Sequence, residues 1–232
     1  MKNFFTGNKV FIIVILTTVI LLVGGVFLFT KNGGDYVQTA KTVNMSLLVP
    51  QNAIITSGFV NGSYLPATTS ASLTFVEFGD YECPACGIYS PFVKQLLTDF
   101  AGKINYVFRN YPLPQHKNGP ISSYAVEAAG LQGKYWEMHE KVYATQADWS
   151  NLGDPTIVFV GYAKDFGLDI NKFSTDLNSS TVKDKVKNDL NDGNTIGLTE
   201  TPTFYLNGKK LILGGSYEQL KKAVESALIG TN

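Results

Sequence analysis

From Val10 to Thr30 the chain reads VFIIVILTTVILLVGGVFLFT, without one charged residue. As a helix rising 1.5 Å per residue, this stretch spans roughly 30 Å, the thickness of a hydrocarbon core. A cleavable export signal has an apolar run of only about 7–15 residues that ends near small side chains. Here the run is longer and Phe27-Leu28-Phe29 stands near its end. The pattern predicts an uncleaved transmembrane signal anchor over residues 10–30. Lys2 and Lys9 precede it, while Lys31 follows and is soon balanced by Asp35. That bias keeps residues 1–9 inside and sends the rest of the chain outward.

Residues 31–70 are rich in Gly, Asn, Thr and Ser, with short apolar patches at Leu47–Val49 and Ile54-Ile55. They read as a linker carrying one edge strand. The pattern then tightens. Leu73-Thr-Phe-Val-Glu-Phe78 is apolar on both faces except at Glu77, as a central strand requires. A helix is expected to begin around the cysteines, with Ile88, Phe92, Leu96 and Phe100 as a stripe that Val93 and Leu97 widen. Pro91 is expected to kink it. Ile104 to Phe108 reads as the next strand, which completes a βαβ unit.

The middle of the chain is helical in pattern. Ser122 to Ala144 runs with few breakers apart from Gly130 and Gly133. Asp154-Pro155 reads as an N-cap followed by proline at the first helical position. Shorter helices are expected over Asn171–Leu177 and Val182–Asn191. Strand character returns at Thr203–Leu206, Asn207-Gly208 signals a hairpin, and Leu211–Leu213 is the expected partner. An amphipathic helix over Tyr217–Leu228 closes the chain. A βαβ half and a ββα half therefore flank a helical block at about 118–195. This is the α/β pattern of a thioredoxin fold with an inserted helical subdomain, over residues 71–229.

Charge removes some functions from consideration. Lys plus Arg and Asp plus Glu both number 19, for a net charge of zero, so nothing favours nucleic acid. Arg109 is the only arginine, which disfavours a phosphate or carboxylate site built from several guanidinium forks.

Only two cysteines occur, in Cys83-Pro84-Ala85-Cys86. A bridge closing so short a loop gains only about 2 kcal/mol by the chain-entropy model, which makes it a poor structural staple. It reads instead as a bond made and broken, in an oxidising compartment. Cys83 at the helix start faces unpaired N–H groups and the positive end of the helix dipole, both of which favour the thiolate. Cys83 is the expected nucleophile, and Cys86, one turn on, the group that attacks a mixed disulfide. Pro84 presets the backbone between them. Ala85 offers no hydrogen bond or charge to the thiolate, and Asp80 and Glu82 are expected to oppose ionisation, so moderate acidity is predicted. Glu77, if buried, is a proton acceptor for Cys86; at a strand edge it has no role. Thr201-Pro202 opens the second strand, and the pattern leaves cis and trans equally open. Two cysteines with His116 and His139 could in principle hold zinc, but the histidines are too far apart in sequence for a finger-like site. His139 is read as a partly buried helix residue and His116 as a loop residue near the active face.

Four segments carry a resemblance: Phe75-Val-Glu-Phe-Gly-Asp-Tyr-Glu-Cys-Pro-Ala-Cys86, Phe108-Arg-Asn-Tyr-Pro-Leu-Pro-Gln-His116, Ala128-Ala-Gly-Leu-Gln-Gly-Lys-Tyr-Trp-Glu-Met-His139 and Thr201-Pro-Thr-Phe-Tyr-Leu-Asn-Gly208. In this order and spacing the chain resembles the DsbA-like thiol–disulfide oxidoreductases, in their membrane-anchored form. The resemblance implies a nucleophilic Cys83, a resolving Cys86, and a cis Pro202 against the disulfide with Thr201 beside it. It puts Glu77 where relatives keep a buried acid, and makes Pro84, Ala85, Thr201 and Pro202 the surface that meets substrate. It implies disulfide donation to exported proteins with free thiols, on the extracytoplasmic side of a bacterial membrane, with reoxidation by a quinone-linked membrane partner. No cofactor is needed beyond the Cys83–Cys86 disulfide, no metal is expected, and a monomer is the default. Two departures stand out: Ala85 replaces the histidine of the best-known oxidases, and Glu200 stands where glycine is common. Rival readings are a reductase or isomerase of the same fold, or an anchored module that holds metal or client without turnover.

Overall fold

The computed structural model describes residues 42–230. The anchor expected over 10–30, and the linker as far as residue 41, lie outside the described residues. Among the described residues no helix is long and apolar enough to cross a membrane.

The stretch expected to be a linker is part of the fold from residue 42 onward. It forms helix α1 (Met45–Leu48) and strands β1 (Ile55–Val60) and β2 (Ser63–Pro66). Two strands stand where one was expected, because Asn61 and Gly62 both take positive φ and turn the chain back on itself. Leu48 is fully buried, so its apolar patch is core rather than tether. Next come β3 (Leu73–Gly79), α2 (Pro84–Asp99) and β4 (Ile104–Asn110). The insertion holds α3 (Gly119–Gly130), α4 (Tyr135–Ala144), α5 (Gln146–Trp149), α6 (Thr156–Asp165), α7 (Ile170–Leu177) and α8 (Ser180–Thr195). The chain closes with β5 (Thr203–Leu206), β6 (Lys209–Lys210) and α9 (Tyr217–Ile229).

The six strands lie in the order β2-β1-β4-β3-β5-β6. β3 and β4 are parallel, as the βαβ reading requires, and every other neighbouring pair is antiparallel. β3 sits inside the sheet, which explains its apolar character on both faces. Phe75 packs in the larger core, while Val76 and Phe78 belong to the second core on the other face with Leu48, Val107 and Tyr205. Period-two alternation puts Glu77 on the Phe75 side.

Several local expectations are corrected. The 122–144 pattern is two helices, since Gly133 adopts φ 75° and turns the chain between α3 and α4. Pro155 is itself the cap residue of α6, and Asp154 Oδ1 accepts from the Thr156 N–H at 2.9 Å. The hairpin partner is Lys209–Lys210, not Leu211–Leu213; pairing fades after Leu211, whose N–H reaches the Phe204 carbonyl at 2.8 Å. Helix α2 buries Cys86, Tyr89, Val93, Leu96 and Leu97, while Ile88 is 61% exposed. Two residues turn a helix by about 200°, so a stripe through Cys86 must leave Ile88 outside.

Arg109 is wholly buried. Its Nε donates to Asp189 Oδ1 at 2.7 Å, its Nη2 to Asp192 Oδ2, and its Nη1 to the carbonyls of Leu47 and Leu48. The one guanidinium fork is spent inside, binding β4 to α8 and α1. A buried charge is tolerable only with such complete pairing.

Candidate active site: a dithiol at a helix tip beside a cis proline

β3 ends at Gly79, and a short turn delivers Cys83 as the N-cap residue of α2 with Pro84 at the first helical position. Proline there sacrifices no hydrogen bond, because the first N–H groups of a helix are unpaired anyway. Cys83 is 6% exposed and Cys86 fully buried, both as unlinked thiols, while Pro84 and Ala85 face solvent. Only one sulfur of the pair is therefore open to a partner.

The Thr201-Pro202 peptide bond is cis, as the resemblance implied. The Cys83 thiol lies 3.4 Å from the Thr201 carbonyl oxygen. Thr201 is 9% exposed, and its buried Oγ1 has no hydrogen-bond partner in the protein. A hydrogen bond from the Cys86 thiol does most to favour the Cys83 thiolate. Burial opposes it, and Thr201 and the N–H groups of Cys86 and Ala85 add support, leaving the pKa lowered to about 5. Burial holds the Cys86 thiol well above its ordinary value, and its hydrogen bond to Cys83 adds to this. The asymmetry makes Cys83 the more acidic and the more open of the two thiols, which suits it to attack a disulfide.

Asp80 and Glu82 do not act as the sequence suggested. Asp80 Oδ2 binds His116 Nδ1 at 2.6 Å and accepts from the Leu113 N–H at 2.8 Å, while its Oδ1 accepts from the Glu82 N–H. Glu82 accepts from the Asn118 N–H. Both carboxylates are committed to the 113–118 loop. The Asp80 backbone meanwhile serves both cysteines: its N–H lies 3.5 Å from Cys86 Sγ, and its carbonyl accepts from the Cys83 N–H at 3.1 Å. His116 is thus a loop residue beside the site. His139 is buried in α4, its Nδ1 2.8 Å from the Tyr81 hydroxyl, and burial lowers its pKa to about 3. The two histidines serve different neighbours. Glu200 is exposed and lies 3.6 Å from Lys210 Nζ at the foot of the proline loop.

Glu77 is 2% exposed, so the strand-edge alternative is excluded. Its Oε2 accepts from the Tyr106 hydroxyl at 2.7 Å, and its Oε1 has no partner. Burial raises its pKa to about 7 against the lowering effect of that hydrogen bond. A carboxyl poised near neutrality behind a buried thiol can give or take a proton at physiological pH.

Sequence reasoning missed Gln146. From the insertion, its Nε2 donates to the carbonyls of Tyr81 at 2.6 Å and Cys83 at 2.9 Å. Gly87 makes room for it, since a Cβ there would stand 2.7 Å from Gln146 Oε1. Tyr106 was missed as well. The Phe75↔Tyr106 register of the parallel pair could have suggested it, but nothing in the local pattern marks Gln146.

A family model described as thioredoxin matches residues 67–226. The chain is 37% identical over 162 residues to "Na(+)/H(+) antiporter NhaA 1" of Salinispora arenicola, a match covering 69% of this chain and 24% of that protein. The chain spans about a quarter of the length of the curated relatives it matches, and the antiporter name belongs to those longer proteins. Among solved structures, oxidised BdbD from Bacillus subtilis superposes with a TM-score of 0.65 at 21% identity, covering 83% of this chain and 98% of that one. The thiol-disulfide exchange protein alpha-DsbA2 from Wolbachia pipientis gives 0.63 at 21% identity, covering 79% and 91%. Those likenesses establish the shared fold, helical insertion included. With the family model spanning strand, dithiol helix, insertion and proline loop alike, the chain belongs to the thioredoxin family.

Proposed function

We propose that this protein is a thiol–disulfide oxidoreductase that introduces disulfide bonds into exported proteins. The observation that carries the reading is the Cys83 sulfur, held at a helix tip 3.4 Å from the Thr201 carbonyl with Cys86 buried one turn behind it. In the donating direction a client thiolate attacks Cys83 Sγ, the Cys83–Cys86 bond breaks, and Cys86 leaves with the electron pair and takes a proton. A second client thiolate then attacks the client sulfur and releases Cys83 as a thiolate. The acidity of Cys83 makes it a good leaving group, which favours donation.

Client backbone would lie along the Thr201-Pro202 loop, with Pro84 and Ala85 as the facing surface. A groove of about 350 Å³ beside Pro202, lined in part by Tyr89, Phe204, Leu211 and Leu213, offers apolar contact for an extended chain. The uncharged stretch at 10–30 supports an anchor, and the anchor supports a catalytic domain outside a bacterial membrane. A quinone-linked membrane protein would then restore the disulfide. No further cofactor is required.

The test is the redox equilibrium of the full chain in glutathione buffers. A potential between about −180 and −120 mV is expected for a donor; a value near the roughly −270 mV of thioredoxin would instead assign the protein to reduction.

A further inference from the structure

The groove beside Pro202 is walled by apolar and aromatic side chains, and among the described residues that line it only Glu200 and Lys210 carry charge. The two are unequal. The Glu200 side chain is 71% exposed and that of Lys210 33%. Their charged heads stand 3.6 Å apart, and so exposed a pair holds its partners too weakly to commit the carboxylate. Glu200 can exchange Lys210 for another cation at little cost. The backbone beneath it is fixed, because the Thr203 hydroxyl donates to the Glu200 carbonyl at 2.9 Å. The next residue, Thr201, has its carbonyl oxygen 3.4 Å from Cys83 Sγ. Neighbouring Cα atoms are about 3.8 Å apart, and an extended chain advances about 3.3 Å per residue. A client laid along Thr201-Pro202 with its sulfur at Cys83 therefore brings to Glu200 a side chain one or two positions from its own cysteine.

We propose that Glu200 is a specificity-determining residue, which selects client cysteines with a lysine or arginine within two positions and disfavours those flanked by acidic residues. The inference rests on the exchange reading above and deepens it by giving the client a sequence. Relative exposure sets the sign. The carboxylate is the more open of the two charges, so it is the one an arriving side chain meets, while most of the Lys210 side chain is covered. Apolar walls do not distinguish one charge from another, so that choice falls to this pair. A glycine in place of Glu200 would leave Lys210 as the only charge on the groove and favour the opposite clients.

The other charges near the dithiol do not compete for this role. Asp80 and Glu82 are bound into the 113–118 loop. Lys209 neighbours Lys210 on β6, and strand alternation sends its side chain to the other face of the sheet. The acidity of Cys83 is set by Cys86, Thr201 and the first N–H groups of α2, so Glu200 acts on the seating of the client and not on the sulfur.

The test uses the full chain, oxidised, with short flexible peptides that each carry two cysteines. Three versions place Lys, Gln or Glu at the positions around each cysteine, and disulfide formation in the peptide is followed by acid quench and chromatography. Each rate is divided by that of the same peptide with hydroxyethyl disulfide, an uncharged oxidant, which removes the effect of the neighbours on the peptide thiols themselves. At low ionic strength the Lys peptide is expected to outrun the Glu peptide roughly threefold, the yield of one exposed ion pair. In about 1 M salt, where the screening length is about 3 Å, the preference should vanish. Glu200→Gln should abolish or invert it, Glu200→Lys should invert it, and Lys210→Gln should widen it. A merely structural effect of these changes would move all three rates together. Equal normalised rates for the three peptides in the wild-type chain, or an order that survives Glu200→Lys, would overturn the proposal. A wild-type chain that oxidises none of the peptides would overturn the exchange reading instead.

Discussion

The Tyr106 hydroxyl on β4 donates to Glu77 Oε2 on β3 across 2.7 Å, inside the protein and behind the dithiol. The bond ties a proton-carrying group to the parallel strand pair that also aims Cys83, so acid and nucleophile share one rigid base. It favours the carboxylate without offsetting burial, which leaves Glu77 near neutrality.

That raised pKa sets a stability prediction. Folding favours protonated Glu77, so its contribution is fully present below the unfolded value near 4.5 and is lost as pH rises through about 7. Stability should fall across that window. Glu77→Gln should abolish the slope and stabilise the protein at pH 8 by on the order of 2–3 kcal/mol, as read by urea unfolding at several pH values.

Cys83 should alkylate half-maximally near pH 5 and stay fast to neutral pH, following its thiolate. Iodoacetamide kinetics on the reduced chain check this. A profile centred near pH 8.5, the range of a free peptide thiol, would remove the basis for assigning Cys83 as nucleophile.

Cys86→Ser leaves the exposed sulfur but no resolving group. It should accumulate mixed disulfides with exported clients, visible as adducts on non-reducing gels that collapse with reductant. Cys83→Ser should trap none, because Cys86 is fully buried.

Gln146→Ala removes the donor that spans the Tyr81 and Cys83 carbonyls. A loss of about 1–2 kcal/mol is expected. The alkylation midpoint of Cys83 should also move upward, as the helix tip loosens.

Arg109→Met should be the most disruptive surface-independent change. It leaves Asp189 buried without its arginine partner, and a cost of about 3–5 kcal/mol is expected in chemical denaturation. Arg109→Met paired with Asp189→Leu should recover part of that loss.

Much of this protein is legible in its residues because the signals are local. The apolar run of β3, the proline after Cys83, the Asn207-Gly208 turn and the helical insertion each follow from spacing a few residues long. The dithiol needs only two cysteines three positions apart. The misreadings also have physical causes. Ile88 looked like core because a helical stripe has no absolute phase until a neighbour chooses a face, and the core chose the face through Cys86. The residues before 70 looked like a tether because Gly and Asn mark a hairpin turn as readily as a loop.

What only the tertiary structure decided is which distant groups meet. Whether Asp80 and Glu82 would burden the thiolate depended on the 113–118 loop arriving to bind them. Whether Glu77 was an edge residue or a buried acid depended on β4 and β5 flanking β3. Gln146 and Tyr106 took their places through long-range packing, which fixes separations that no short window of sequence encodes. The sequence determined the cysteine pair and the elements that carry it; the folded chain decided the acidity, the buried carboxyl and the open face, because burial and hydrogen bonding exist only between parts brought together.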